Sequence, residues 1–314
     1  MKRLAFSIGL AGLLVPMAAC SDDDSTGDDS DGSATEDGGT SGGGDDGGGD
    51  DGGTDTGDDG GTDTGDDGTT GELGKAMIRV VHASPDAPAV DVYVEGLADP
   101  VITDLGYGDS SEYLEVDEGD YNFQIRAAGS PATDDPAFET GALALPADSK
   151  VTALAAGLLG STEDEDKFRV LPLVEGFDAA GDGEAIVRIV HAGADAPTVD
   201  LDVGNDGSSE VTDFERFADT GEAGVALPSG TAIQIGVVAD GSPVTAFTTP
   251  ELPEGAELFV VATGQLADLP RQETGFSLLA VGPDGAIGLI PQNPTVFAFH
   301  AGSDAPAVDI CVTD

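Results

Sequence analysis

From about residue 76 onward, the chain consists of short apolar segments separated by clusters of Gly, Pro, Asp and Ser. In the segment 90–95, Val90, Val92 and Val94 alternate with polar or aromatic residues, and the segment 121–126 shows the same alternation. A two-residue period of this kind is typical of β-strands with one buried face. No stretch shows the period of an amphipathic helix, so we predict an all-β fold, with seven or eight short strands in each β-sandwich.

One of these patterns occurs three times. Residues 77–96 read MIRVVHASPDAPAVDVYVEG, residues 186–205 read IVRIVHAGADAPTVDLDVGN, and residues 295–314 read TVFAFHAGSDAPAVDICVTD. They share the core His-Ala-x-x-Asp-Ala-Pro-x-Val-Asp, which contains every histidine of the chain. The spacing between them is the length of a small domain, so the sequence predicts tandem domains.

The repeats suggest domain boundaries. We place the first β-sandwich at residues 76–175 and the second at residues 185–282. Short linkers at residues 175–184 and 282–294 would align neighbouring domains as a short rod. Residues 295–314 repeat only the first two strand segments of the pattern, and two strands are at best marginally stable alone. We therefore interpret them as the start of an incomplete third repeat. Cys311 lies in this segment without an evident partner. We therefore expect a longer natural chain; docking of residues 295–314 onto an edge strand of the second domain, or disorder, are the alternatives.

The N-terminus has the pattern of an export signal. Two basic residues precede the apolar run Leu4–Val15, and the small residues Ala18 and Ala19 lead into Cys20. The run is too short to span a bilayer, which indicates a signal peptide over residues 1–20. The sequence around Cys20 resembles the lipobox of bacterial lipoproteins, although an ordinary secretory signal is the alternative. The resemblance implies that Cys20 is acylated and that the membrane is a partner through this lipid anchor. Because Ser21 follows, it also implies an outer-membrane or cell-surface location in a Gram-negative bacterium.

An acidic segment follows. Residues 21–70 contain 17 Asp, one Glu and no Lys or Arg, and most of the others are Gly, Ser and Thr. Such a composition cannot bury enough apolar surface to offset its ordering entropy. We predict a disordered stalk over residues 21–75.

The charge of the chain excludes one class of partner. The formal net charge is −50, and the folded part is strongly acidic as well. Nothing in the chain could neutralise phosphates, so we expect no binding to nucleic acid.

The shared motif has two interpretations. In the structural one, each imidazole donates a hydrogen bond to a carbonyl or carboxylate in the following turn, and the proline fixes the chain direction. In the functional one, the His and Asp side chains form a weak metal or ligand site, although zinc requires three or four converging ligands. We favour the structural interpretation and assign no metal or other cofactor. The motif residues are His82, Asp86, Asp91, His191, Asp195, Asp200, His300, Asp304 and Asp309.

The repeats resemble a known bacterial family. The segments VHASPDAPAVDVYVEG, VITDLGYGDSSEYLEV and EGDYNFQIRAAG of the first repeat are similar to the domain of unknown function 4397 (DUF4397). The second repeat is similar but more diluted. The resemblance implies a tandem, extracellular β-sandwich of Ig-like or transthyretin-like type on a secreted or lipid-anchored protein. It implies no catalytic residue.

These observations favour a noncatalytic protein. The chain has no nucleophile elbow, no HExxH and no phosphate-binding Gly-rich loop, and it has no Trp for sugar stacking. We expect a lipid-anchored surface protein that acts as an adhesion, spacer or envelope-interaction array with an unknown extracellular or envelope partner. The alternative is a lipoprotein that senses a metal or small molecule through its histidine turns.

Overall fold

The computed structural model describes residues 73–294 together with residue 301. These residues form seventeen β-strands and contain no helix, so none of them lies in a helix that could cross a membrane. The prediction of an all-β fold built from β-sandwiches is confirmed.

The strands fall into two groups, one for each of the two described repeats. The first repeat contains β1 (Lys75–His82), β2 (Val90–Val94), β3 (Ile102–Leu105), β4 (Leu114–Asp117), β5 (Gly119–Ala127), β6 (Phe138–Leu145), β7 (Lys150–Ala156) and β8 (Arg169–Val174). The second contains β9 (Glu184–His191), β10 (Val199–Val203), β11 (Val211–Phe214), β12 (Val225–Pro228), β13 (Gln234–Ala239), β14 (Ser242–Thr248), β15 (Glu257–Thr263), β16 (Ser277–Gly282) and β17 (Gly285–Pro291).

Each repeat folds as a sandwich of two sheets. In the first repeat, the sheet β4-β1-β7-β8 faces the sheet β3-β2-β5-β6, and the apolar core between them includes Ile78, Val92 and Phe123. The pairing of β1 with β7 is parallel, whereas the other strand pairs of this repeat are antiparallel. The second repeat has the same order in β11-β10-β13-β14 and in β12-β9-β15-β16, so the sequence repeat is also a structural repeat.

One strand lies where the sequence suggested a linker. β17 (Gly285–Pro291) pairs with β16 and extends the second sheet to five strands, so the expectation of a linker over residues 282–294 is wrong for this part. Its mixture of Gly and isolated apolar residues hides the strand, because Gly weakens strand propensity and offers no side chain to pack.

The two repeats pack against each other through sheet faces. Val81, Leu154 and Leu173 of the first repeat share an apolar cluster with Val190 and Val261 of the second. Val190 and Val261 pair with each other as Val81 and Leu154 do, so these two pairs occupy equivalent positions in the two sandwiches. β1 therefore buries both of its faces, one inside its own sandwich and one against the other repeat, which explains its nearly continuous apolar sequence. The two repeats therefore pack face to face, whereas the sequence led us to expect a rod of domains aligned by short linkers.

Equivalent arginines reinforce this contact in both directions. Arg79 of β1 donates from Nη1 to the carbonyl oxygen of Gly282 at 2.5 Å, and Arg188 of β9 donates from Nη1 to the carbonyl oxygen of Val174 at 2.5 Å. Gly282 ends β16 and Val174 ends β8, at corresponding places in the two repeats. The contact thus has approximate two-fold symmetry, and we call this pair of hydrogen bonds the arginine clasp.

Candidate functional site

The histidine of the repeated motif is buried at the end of β1. His82 lies on the same strand face as Ile78 and Val80 and is fully buried. Its Nε2 lies 3.1 Å from the carbonyl oxygen of Pro88, and its Nδ1 accepts a hydrogen bond from the Ser84 amide at 3.3 Å. Since a carbonyl oxygen can only accept, Nε2 carries the proton and the ring is neutral. Burial lowers the pKa of His82 below its ordinary value of 6.5.

The first aspartate of the motif holds a distant loop. The Asp86 carboxylate accepts hydrogen bonds from the amides of Leu159 and Gly160, each at 2.8 Å. In the second repeat, Asp195 accepts in the same way from the amides of Leu266 and Ala267, at 2.7 and 2.9 Å. Asp86 therefore fixes the loop between β7 and β8, and Asp195 fixes the equivalent loop between β15 and β16. The oxygen atoms of both carboxylates accept the hydrogen bonds of these loops.

The second aspartate of the motif supports a bulge. Asp91 accepts from the amides of Asp104 and Gly129, each at 2.8 Å, and Asp200 accepts from the amide of Asp213 at 2.8 Å. Asp104 and Asp213 both have a φ of 54°, in the left-handed region that side-chain-bearing residues rarely adopt. The register of the adjoining strand pair shifts at the same place in both repeats. The carboxylate thus stabilises the bulge and the strained backbone of Asp104 or Asp213 within it.

The second histidine differs from the first in one hydrogen bond. His191 Nε2 lies 3.0 Å from the carbonyl oxygen of Pro197, as in the first repeat. However, Nδ1 of His191 is buried and has no hydrogen-bond partner among the described residues. Gly193 stands where the first repeat has Ser84, whose hydroxyl donates to the Gly157 carbonyl oxygen at 2.7 Å. The loss of this anchor is the local difference between the two turns.

The motif residues do not converge on a common centre. Within residues 73–294, no three His, Cys, Asp or Glu side chains come together in a way that could hold a metal ion. Each described carboxylate instead faces a different backbone loop. The remaining motif residues, His300, Asp304 and Asp309, and the lipidation residue Cys20 lie outside the described residues.

Sequence reasoning missed a buried polar cluster beside the contact between the repeats. Glu175 accepts from the Tyr113 hydroxyl at 2.6 Å and from the Thr152 hydroxyl at 2.5 Å, and it pairs with Lys150 at 3.2 Å and with Arg79 at 3.6 Å. Burial and the neighbouring carboxylate raise the pKa of Tyr113. The signal in the sequence was an arginine at the same place in two apolar strands, since an unpaired buried charge is not tolerated.

The fold and the histidine turn define a protein of paired β-sandwich domains whose shared motif ties the loops of each sandwich together. Residues 76–202 match a family model described as "Domain of unknown function (DUF4397)". The matched region runs from the second residue of β1, through the rest of the first repeat, into β10 of the second. No curated protein matches the chain.

Proposed function

We propose that this protein is a noncatalytic, lipid-anchored surface protein whose paired sandwiches are presented away from the membrane by the acidic segment. The observation that carries the proposal is the use of the motif side chains. Each described His and Asp of the motif holds a turn, a bulge or a loop of its own sandwich. Side chains that hold the backbone in the same way in both described repeats favour a structural role of the motif over a chemical one.

The contact between the repeats supports the same proposal. The two sandwiches share an apolar cluster and the arginine clasp, and such a joined pair suits a spacer or an adhesion module. Repulsion between the acidic residues of the segment 21–70 would extend this segment and so hold the sandwiches at a distance from the membrane. The step from this architecture to adhesion or envelope interaction is an analogy at the level of the fold.

Anchoring is tested by replacing Cys20 with Ser. We expect the wild-type protein to remain with membranes after a high-salt wash and to be labelled by antibody on intact cells. The Cys20→Ser variant should be released, since the acyl chains on Cys20, two or more of which suffice for stable attachment, are the membrane anchor that we propose. A variant that stays with the membrane would refute the lipid anchor.

The adhesion or envelope role is tested in cells that lack the protein. We expect reduced attachment to surfaces or reduced resistance to envelope stress, restored by the wild-type gene but not by Cys20→Ser. Full complementation by the released variant would contradict a role that depends on surface presentation.

A further inference from the structure

The second sandwich has an open apolar pocket at the end where the histidine turn lies. The pocket has a volume of about 120 Å³ and is lined mainly by apolar side chains, with Thr245 and Gln292 as its polar members. Two lining side chains are unusually exposed for apolar residues, Val244 at 58% and Leu266 at 47%. The lining includes Ala196, Pro197, Val199, Val244, Leu266 and Phe276.

The same place in the first repeat is largely filled. The corresponding pocket beside Ala87 and Pro88 has a volume of only about 40 Å³, and its lining includes Phe138 and Phe168. The two rings lie edge to face with their centres 5.1 Å apart. The first sandwich thus closes its end with a phenyl ring from its own edge strand, β6.

Strand register identifies the residue that replaces this ring. Phe138 pairs with Ile125 on β5, and Thr245 pairs with Val237 on β13. Ile125 and Val237 are equivalent, because each precedes the residue that pairs with the second aspartate of the motif. Thr245 therefore stands where Phe138 stands in the first repeat, and the smaller side chain leaves the pocket open.

No other ring of the edge strand β14 fills the pocket of the second repeat. Its edge-strand ring is Phe247, two residues further along β14, which is fully buried and packs on Phe276 with the ring centres 5.8 Å apart. Phe276 corresponds to Phe168, since each follows the loop held by the first motif aspartate. Phe276 consequently retains a face toward a pocket that has no ring in it.

Charge and hydrogen bonding narrow the chemistry of a ligand. The net charge of −50 disfavours an anion. Thr245 Oγ1 donates to Gln292 Oε1 at 2.9 Å, and Gln292 Nε2 donates to the Phe276 carbonyl oxygen at 3.1 Å. With its proton so engaged, the Thr245 oxygen still accepts a hydrogen bond from a hydroxyl or amine.

We propose that the second repeat binds a small aromatic molecule without negative charge in this pocket, with its ring in the place that Phe138 fills in the first repeat. A hydroxyl or amine on the ring donates to Thr245 Oγ1. A dry apolar cavity of roughly 150 Å³ is known to accept benzene in another protein, so the volume suits a single ring. Small-molecule sites are usually lined by apolar side chains with a few polar groups, as this pocket is.

The test uses the full chain and 4-fluorophenol, observed by ¹⁹F NMR, together with methyl spectra of the protein. We expect a saturable ¹⁹F shift with one site per chain and shifts of the Val244 and Leu266 methyl signals. The anion 4-fluorobenzoate, which carries a larger carboxylate with no proton to donate in place of the hydroxyl, should bind more weakly. Absence of a saturable shift, or equal binding of the anion, would overturn the proposal.

Two reciprocal variants locate the site. Thr245→Phe restores the ring of the first repeat and should abolish the shift, whereas Phe138→Thr opens the first pocket and should raise the stoichiometry toward two. Thr245→Val, which conserves volume, should weaken the binding of 4-fluorophenol but not that of fluorobenzene, so the test does not depend on the folding of Thr245→Phe or of Phe138→Thr. Unchanged 4-fluorophenol binding in Thr245→Phe or in Thr245→Val would refute this pocket as the site.

Discussion

The arginine clasp allows a quantitative prediction for Arg79→Met. Arg79 is 2% exposed, and the variant removes its hydrogen bonds to the Gly282 carbonyl and to Thr152 Oγ1, as well as its ion pair with Glu175. Each hydrogen bond to a charged group contributes about 1.5–3 kcal/mol, and Met recovers part of the loss through apolar burial. Glu175 keeps Lys150 as an ionic partner, so its charge is not left isolated. We expect the free energy of unfolding to fall by about 3 kcal/mol.

Urea denaturation followed by circular dichroism measures this change, with the free energy taken from the midpoint and a common slope. The matched control is Lys75→Met, which removes a 2.6 Å ion pair between side chains that are about half exposed and should therefore lower the stability far less than Arg79→Met does. Arg188→Met should cost about 2 kcal/mol, because its partner Asp219 is 23% exposed and water can replace the lost contact. If Arg79→Met is as stable as the Lys75→Met control, the clasp does not hold the repeats together.

Three further predictions follow from the fold and the motif. Because the two repeats share an apolar cluster, the described region should unfold in one urea transition seen by all probes, and two separate transitions would contradict the shared cluster. Burial lowers the pKa of both described histidines below 6.5, so on acidification the histidines of the unfolded state are protonated before those of the folded state. The contribution of these histidines to stability should therefore be constant above pH 6.5 and should fall as the pH drops below 6.5. The fall should be shallower in His82→Asn, which lacks one of the two groups. An unchanged pH slope in that variant would exclude His82 as a contributor. Asp86→Ala should lower the free energy of unfolding by about 1–3 kcal/mol and should accelerate hydrogen exchange at the Leu159 and Gly160 amides but not at the β10 amides. If exchange at the Leu159 and Gly160 amides is the same in the variant as in the wild type, the carboxylate does not fix this loop.

The all-β fold and the strand segments could be predicted because their signals are local. Alternation in segments such as 90–95 and turn residues between strands are both visible in the sequence. The hydrogen bond from His82 to a turn carbonyl was also an expectation that the geometry shows, because a buried imidazole needs a partner.

The contact between the repeats could not be predicted by the same reasoning. A strand that buries both faces reads as a continuous apolar run, and such a run does not tell which element covers the second face. Arg79 in the middle of that run was the clue, but its partner Gly282 lies 203 positions away in the chain. Likewise, the pocket of the second repeat depends on the register between β13 and β14, which alternation alone does not give.

The two-fold arrangement of the repeats limits how such domains can associate. Equivalent surfaces face each other in an isologous contact, and this kind of contact is closed once two partners have met. A further copy of the domain finds the shared face of this pair already covered and must use another surface. In the segment 295–314, Phe297 stands at the position of Arg79 and Arg188, so this segment lacks the arginine needed to form the same clasp. A longer array built through this contact would therefore consist of separate pairs of domains, and not of one continuous stack.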